Sequence, residues 1–145
     1  MWDLVEAGAR HCLVENGGEI SATSTGRVTV GIYAGPSPLS GRVGLELEGG
    51  DYPVGIATSS ASVSRAINLG MADAAVVVAD EASMADAAAK AVCNAVVGDD
   101  VEASVKRGLD VADDLRPYIR GAVVIRGGYI GLTGRLPRIV GISGP

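Results

Sequence analysis

The sequence predicts an α+β fold in which an antiparallel or mixed β-sheet is covered on one face by helices. Two observations support this class: a first half with strand-type alternation of apolar residues, and a second half with two helix-like segments followed by a hairpin pattern. Helices gathered on one face of a sheet are typical of such proteins. The chain of 145 residues shows no linker or repeat, so a single domain over residues 1–145 is expected.

Local patterns place the elements of the first half. Residues 2–11 have a helical pattern, and residues 12–15 and 19–23 alternate as short strands around Asn16-Gly17-Gly18. Asn and Gly accept positive φ, so this tripeptide predicts a tight turn. Further strands are expected at 27–33, 43–47 and 54–58, separated by a proline-containing loop and a glycine turn. Short turns between successive strands predict an antiparallel meander.

The second half changes period and begins with a short helix candidate at 62–69. The apolar run at 72–79 predicts a buried central strand. Ser83 with Asp86, and Asp99 with Glu102, are spaced as capping boxes that would open two helices. The predicted remainder comprises a first helix from 83 to about 96, a second helix ending before Pro117, a hairpin of 122–126 with 129–133, and an edge strand at 139–142.

Composition narrows the classes of function. The net charge of -5 and pI of about 4.7 argue against a nucleic-acid partner, which would need a basic surface facing the phosphates. No apolar run reaches the ~18 residues of a membrane span, and residues 1–15 do not have the pattern of a signal peptide. Cys12 and Cys93 lie in apolar runs and are read as buried free thiols, so we expect a cytoplasmic protein. His11 is the only histidine and is interpreted as structural.

Three segments carry candidate chemistry. The backbone of Asn16-Gly17-Gly18 can approach a phosphate, or it forms only a hairpin turn. Thr58-Ser59-Ser60 follow a strand and precede a helix candidate, so they can bind an anion or act as helix caps. Asp86 lies in a first helical turn, where a carboxylate can hold Mg²⁺, complete a capping box or pair with Lys90. The residues alone leave these alternatives open.

Several motifs follow one another in a recognisable order. They are residues 14–20 (VENGGEI), 30–32 (VGI), 55–59 (GIATS), 76–79 (VVVA) and 85–87 (ADA). This order resembles that of ApbE-like proteins, which include flavin transferases that move FMN from FAD onto a protein threonine with Mg²⁺. The segments GIYAGPSPL at 31–39 and ADA at 72–74 resemble a branch of that superfamily without an assigned activity.

The resemblance implies roles for individual residues. Gly17, Gly18, Thr58 and Ser59 match positions near the flavin nucleotide, and Asn16 and Ser60 adjoin them. Asp86 matches a carboxylate that helps to hold the metal. The family usually has a threonine four residues later, where this chain has Lys90. An ammonium group cannot ligate Mg²⁺ and repels it, so either the metal site is lost or Lys90 supplies the positive charge.

This chain resembles only part of the usual family length. Family members have a substantial segment before the helix that corresponds to residues 2–11 of this chain. The chain is therefore expected to be the C-terminal part of that length, and to form a homo-oligomer or to associate with a separate N-terminal partner chain. The leading interpretation is a module that binds a flavin nucleotide or a related phosphate-bearing small molecule. The alternatives are a Mg²⁺-dependent transferase of FMN from FAD, and a structural or assembly subunit with a degenerate site.

Overall fold

The computed structural model describes residues 8, 10–61 and 70–143. The helix predicted at 62–69 lies outside the described residues, and so does most of the helix predicted at 2–11. The last residue of that second prediction, His11, is the first residue of a strand. The strands are β1 (His11–Asn16), β2 (Glu19–Ser24), β3 (Val28–Gly31), β4 (Val43–Leu47), β5 (Val54–Ser59), β6 (Ala74–Ala79), β7 (Gly121–Arg126), β8 (Tyr129–Gly134) and β9 (Arg138–Gly141), and the helices are α1 (Ala82–Ala95) and α2 (Val101–Asp114).

The strands form two antiparallel sheets. The larger sheet has the order β1-β2-β5-β6-β7-β8, and the smaller has the order β3-β4-β9. The expected single meander is therefore wrong, because β3 and β4 leave the larger sheet and β2 pairs with β5. The smaller sheet is closed by a distant pairing, in which Val43 lies opposite Gly141. The α+β class is confirmed, and both sheets are antiparallel.

The larger sheet lies between the two helices and the smaller sheet, so its central strand β6 is buried on both faces. Ala75 and Val77 pack toward the helices, whereas Val76 and Val78 pack toward the smaller sheet. This alternation explains why the sequence of β6 is apolar at every position. Two apolar cores result, one on each side of the same sheet.

Helix α1 lies unusually close to the larger sheet. A Cβ atom added at Gly55 on β5 would be 2.2 Å from the backbone nitrogen of Ala82, the first residue of α1. The helix face that packs here is built from small side chains, including Ala85 and Ala89, which are fully buried. The glycine- and alanine-rich composition is therefore what permits the close approach of the helix.

Both helix starts differ from the predicted capping boxes. Helix α1 begins at Ala82 after Glu81, with no side-chain cap, so Ser83 lies inside the helix. Helix α2 is capped by Asp100 rather than Asp99, and the Oδ1 atom of Asp100 accepts a hydrogen bond of 3.0 Å from the backbone of Ala103. Neighbouring aspartates offer nearly equal caps from sequence alone, and packing of the helix selects one. Within the described residues, no helix has the length and apolarity to cross a bilayer.

Candidate functional site

A cavity of about 390 Å³ lies between the two sheets, near the end of β5. It is bounded by strands of both sheets and by the turn that joins β1 to β2. Its lining residues are Glu15, Gly17, Gly18, Ile20, Val30, Gly31, Ile32, Tyr33, Leu45, Ile56, Thr58, Ser60 and Val76. The volume lies within the range of small-molecule sites, about 300–1,000 Å³.

The turn at the cavity consists of Gly17 and Gly18, which have φ of +58° and +94°. Positive φ at both central residues is the geometry that joins antiparallel strands through two residues. The backbone N–H of Thr58 donates a hydrogen bond of 3.1 Å to the carbonyl of Gly18, which holds the turn against β5. A Cβ atom at Gly18 would lie only 3.3 Å from the carbonyl oxygen of Thr58. The glycine turn therefore places backbone atoms without side chains at the edge of the cavity.

The cavity combines an apolar floor with a polar edge. The floor is formed by aliphatic side chains from both sheets, namely Ile20, Val30, Ile32, Leu45, Ile56 and Val76. The edge carries the hydroxyls of Thr58 and Ser60, the carboxylate of Glu15 and the ring of Tyr33, which is 66% exposed. Among the lining residues there is a single carboxylate and no Lys, Arg or His. Such a cavity suits a small molecule whose apolar part is buried and whose polar groups are directed outward.

The candidate residues from the sequence are divided between the two faces of the larger sheet. Gly17, Gly18, Thr58 and Ser60 are brought together at the cavity, whereas Asn16 and Ser59 are not among its lining residues. Ser59 follows Thr58 on β5, and successive side chains of a strand point to opposite faces. Ser59 is therefore on the side of Ala57, which packs toward the helices.

Asp86 also lies away from the cavity, on α1 at the opposite face of the larger sheet. Its Oδ2 atom accepts a hydrogen bond of 2.6 Å from Nζ of Lys90, one turn further along the helix. The positive charge of that ammonium is placed against the carboxylate that the resemblance assigns to the metal. The described residues contain no group of three or more metal-ligating side chains. Asp86 and its surroundings therefore do not fit a Mg²⁺ ion.

Two further polar side chains, those of Asp73 and His11, make hydrogen bonds within the fold. Asp73 precedes β6, and its Oδ2 atom accepts a hydrogen bond of 2.7 Å from the backbone of Gly127, in the turn between β7 and β8. The Nδ1 atom of His11 is hydrogen-bonded to the hydroxyl of Ser24 on the neighbouring strand. Both side chains link adjacent strands or turns rather than lining the cavity.

Reasoning from residues missed Tyr33, Glu15 and the part of the floor that β3 and β4 supply. Tyr33 lies in the segment GIYAGPSPL, which was recognised by resemblance but was given no role. Tyr33 is exposed between two buried residues, Ile32 and Ala34, so the side chains alternate between core and surface at this point. The position of the smaller sheet over β5 and β6 turns this segment into one wall of the cavity.

Comparison with known proteins places the chain in a family. A family model described as "AbpE bacteria" matches residues 2–130, most of the chain. The chain therefore belongs to that family and is a member of the ApbE-like superfamily.

Relatives of known sequence agree with this assignment. A UPF0280 protein of Methanopyrus kandleri is 46% identical over 134 residues, which are 91% of this chain and 54% of that protein. A UPF0280 protein of Methanothermobacter thermautotrophicus is 43% identical over 137 residues, 94% of this chain and 53% of that protein. The chain thus spans about half the length of the curated relatives it matches.

A solved structure supports the fold. The crystal structure of the flavinyl transferase ApbE from Pseudomonas stutzeri, in its apo form, aligns with a TM-score of 0.53 and 21% sequence identity. The alignment covers 92% of this chain and 43% of the transferase. At this identity the likeness establishes a shared fold, and it does not transfer the reaction.

Proposed function

We propose that this chain is a binding module for a flavin nucleotide, or for a related small molecule that combines a flat ring with a phosphate. The observation that carries the proposal is the cavity between the sheets, with its aliphatic floor and its edge of glycine backbone and hydroxyl groups. A flat ring would be buried against Ile56 and Val76, and Tyr33 at the mouth offers an aromatic face for stacking.

The charges around the cavity suggest how the ligand would be oriented. No cationic side chain of the described residues lines it, and the carboxylate of Glu15 disfavours a phosphate beside it. We infer that ring burial supplies most of the binding energy and that the phosphate lies toward the hydroxyls of Thr58 and Ser60 and the solvent. Binding of FMN should then depend only weakly on salt concentration.

Lys90 argues against metal-assisted transfer of FMN. A transferase needs a cation that neutralises the phosphates during ester exchange. Here the matching carboxylate is hydrogen-bonded to the ammonium of Lys90 and lies on the other face of the larger sheet from the cavity. A binding role is therefore better supported by the geometry than a Mg²⁺-dependent reaction.

Titration calorimetry with FMN and FAD tests the proposal. The Thr58→Val variant removes one hydroxyl at the cavity with little change in shape, and we expect it to weaken FMN binding by about tenfold, the loss of one hydrogen bond to a charged group. Thr29→Val is the matched control, because Thr29 is exposed on β3 and does not line the cavity. Tyr33→Ala should weaken binding similarly, whereas Tyr129→Ala, at an exposed tyrosine of β8 that does not line the cavity, should not.

Three results would contradict the binding module. Absence of heat with FMN and FAD, together with no change in melting temperature in the presence of either, would leave a structural or assembly subunit as the remaining interpretation for the first cavity. Equal losses in Thr58→Val and Thr29→Val would place the ligand elsewhere. Transfer of FMN from FAD to a threonine-containing peptide, dependent on Mg²⁺, would establish the transferase alternative instead.

A further inference from the structure

A second cavity, of about 330 Å³, lies at the other end of the larger sheet. It is lined by Asp80, which follows β6, by residues 116–120 between α2 and β7, and by Arg135 after β8. The register between β5 and β6 shows how the second cavity is placed relative to the first. Thr58 lies opposite Val76 near the start of β6, whereas Gly55 lies opposite Ala79 at its end. The two cavities are therefore at opposite ends of the same strands.

The second cavity concentrates positive charge in an acidic chain. Three arginines line it, Arg116, Arg120 and Arg135, against the single carboxylate of Asp80. The chain as a whole carries a net charge of -5. Three like charges in one depression repel each other, and the repulsion is relieved when an anion binds between them.

Arg120 is already engaged within the fold. Its side chain is only 14% exposed, and its Nε and Nη2 atoms each lie 2.8 Å from Oδ1 of Asp80. The same guanidinium donates hydrogen bonds of 2.7 Å to the backbone carbonyls of Asp51 and Pro53. These contacts fix Arg120 as one wall of the cavity and neutralise Asp80.

The other two arginines retain hydrogen-bonding capacity. The nearest carboxylate to Arg116 is that of Asp113, whose Oδ1 atom is 3.7 Å from Nη1 and also accepts a hydrogen bond from the hydroxyl of Thr133. The side chain of Arg135 makes no ion pair or hydrogen bond within residues 8, 10–61 and 70–143. Two guanidinium groups with unused donors thus face a polar depression whose own carboxylate is already paired.

We propose that this second cavity binds a phosphate or diphosphate group, held by the guanidinium groups of Arg116 and Arg135 beside the fixed Arg120. The planar fork of arginine matches two oxygens of a phosphate at once, and such charge-assisted bonds are about twice as strong as neutral ones. The group can arrive as free pyrophosphate or on a small organic molecule such as a nucleoside diphosphate. The proposal does not depend on flavin binding at the first cavity.

Calorimetric titration of the full chain with inorganic pyrophosphate tests the site. We expect saturable binding, which Arg116→Gln and Arg135→Gln each weaken by about tenfold, the loss of one charge-assisted contact. Arg42→Gln is the matched control, since Arg42 is exposed, loses the same charge and does not line the cavity. Arg135→Lys keeps the charge but removes the fork, so its affinity should fall between those of the native chain and Arg135→Gln. Circular dichroism confirms that each variant is folded.

The outcomes distinguish specific binding of an anion in the second cavity from nonspecific electrostatic attraction to the surface. Absence of saturation, or equal weakening by Arg42→Gln and Arg135→Gln, would overturn the proposal. A parallel titration with ADP identifies the source of the group: tighter binding than pyrophosphate that Arg135→Gln weakens indicates a phosphate on an organic molecule, and weaker binding indicates the free anion. Thr58→Val should leave pyrophosphate affinity unchanged, so that failure of the first cavity as a flavin site is distinguishable from failure of this one.

Discussion

Asp86 and Lys90 lie one turn apart on α1, and the Nζ atom of Lys90 is 2.6 Å from the Oδ2 atom of Asp86. The pair is partly exposed, with 51% of the lysine side chain and 32% of the aspartate side chain accessible to solvent. The acid precedes the base, which is the orientation that the helix dipole favours. The carboxylate expected to hold a metal therefore has a cationic partner from its own helix.

This ion pair should have a small but measurable coupling energy. A double-mutant cycle of Asp86→Asn and Lys90→Gln in urea denaturation is expected to give about 0.3–0.5 kcal/mol, reduced at high salt. Lys106 and Asp110 on α2 provide the control, because they are also four residues apart, with a distance of 3.2 Å, but in the reverse order. A coupling at Lys106 and Asp110 equal to or larger than that at Asp86 and Lys90 would contradict the orientation argument.

The same pair predicts the response to Mg²⁺. Because the ammonium of Lys90 repels a cation at Asp86, millimolar Mg²⁺ should change neither the melting temperature nor the affinity for FMN. Differential scanning calorimetry with and without the metal measures this directly. A Mg²⁺-dependent rise in melting temperature that disappears in Asp86→Asn would show that the carboxylate binds the metal despite its partner.

The close approach of α1 to β5 predicts that Gly55 cannot be replaced by a residue with a side chain without loss of stability. Gly55→Ala places a methyl group 2.2 Å from the nitrogen of Ala82 and 2.3 Å from the carbonyl carbon of Glu81, which are backbone atoms that cannot rotate away. We expect a loss of about 3 kcal/mol of stability or failure to fold. Gly50→Ala is the control, because its added Cβ meets nothing within 4 Å. Similar unfolding midpoints in urea for the two variants would refute the close packing.

Arg120 is expected to contribute to stability as well as to the second cavity. Its guanidinium joins Asp80 to the carbonyls of Asp51 and Pro53, and so ties the loop before β5 to the start of β7. Arg120→Ala should cost about 2–3 kcal/mol, because hydrogen bonds from a charged donor are lost at a partly buried position. Arg42→Ala, at an exposed arginine, should change the unfolding free energy by less than about 0.5 kcal/mol. Equal effects of the two variants would show that the contacts of Arg120 contribute nothing.

Cys93 predicts how stability depends on pH. Burial raises the pKa of this thiol above its ordinary value of 9.0, more than hydrogen bonds with the backbone of Ala61 and Ala72 lower it. The unfolded chain therefore loses this proton at a lower pH than the folded chain, so the stabilisation is complete below about pH 9 and is lost as pH rises further.

Urea unfolding on both sides of that pH measures the effect. The native chain should lose more stability between about pH 8 and pH 10 than Cys93→Ala does. Burial also raises the pKa of Tyr52 from 10.0, and this contribution remains in both proteins, which makes the comparison specific for the thiol. The same loss in both proteins would mean that Cys93 ionises equally in the folded and unfolded states.

Local signals predicted the elements better than their arrangement. Alternating residues around Gly17 and Gly18 located β1 and β2 to within a residue, because turn and strands are neighbours in the chain. The transfer of β3 and β4 into a second sheet could not be predicted in this way, since it depends on the pairing of Val43 with Gly141 across most of the chain. Sequence periodicity shows which residues are buried, but not which distant strand covers them.

The same distinction applies to the candidate site. Thr58 and the glycine turn were recognised from their motifs, and the structure brings them to one cavity. Tyr33 and Leu45 were missed as lining residues because they reach the cavity only through the smaller sheet. Asp86 was recognised by the same resemblance but lies on α1, beyond the other face of the larger sheet. A sequence motif identifies candidate residues, but the arrangement of sheets and helices determines which of them line the same cavity.

The turn of Gly17 and Gly18 limits how ligand preference can change during evolution. Both residues have positive φ, and Gly18 adjoins the Thr58 carbonyl, so this edge accepts almost no replacement and offers the same backbone groups to any occupant. New selectivity would have to arise from neighbouring side chains such as Glu15 and Tyr33, which are exposed at the cavity. One margin of the cavity is thus constrained by backbone geometry, whereas the other can change through its side chains.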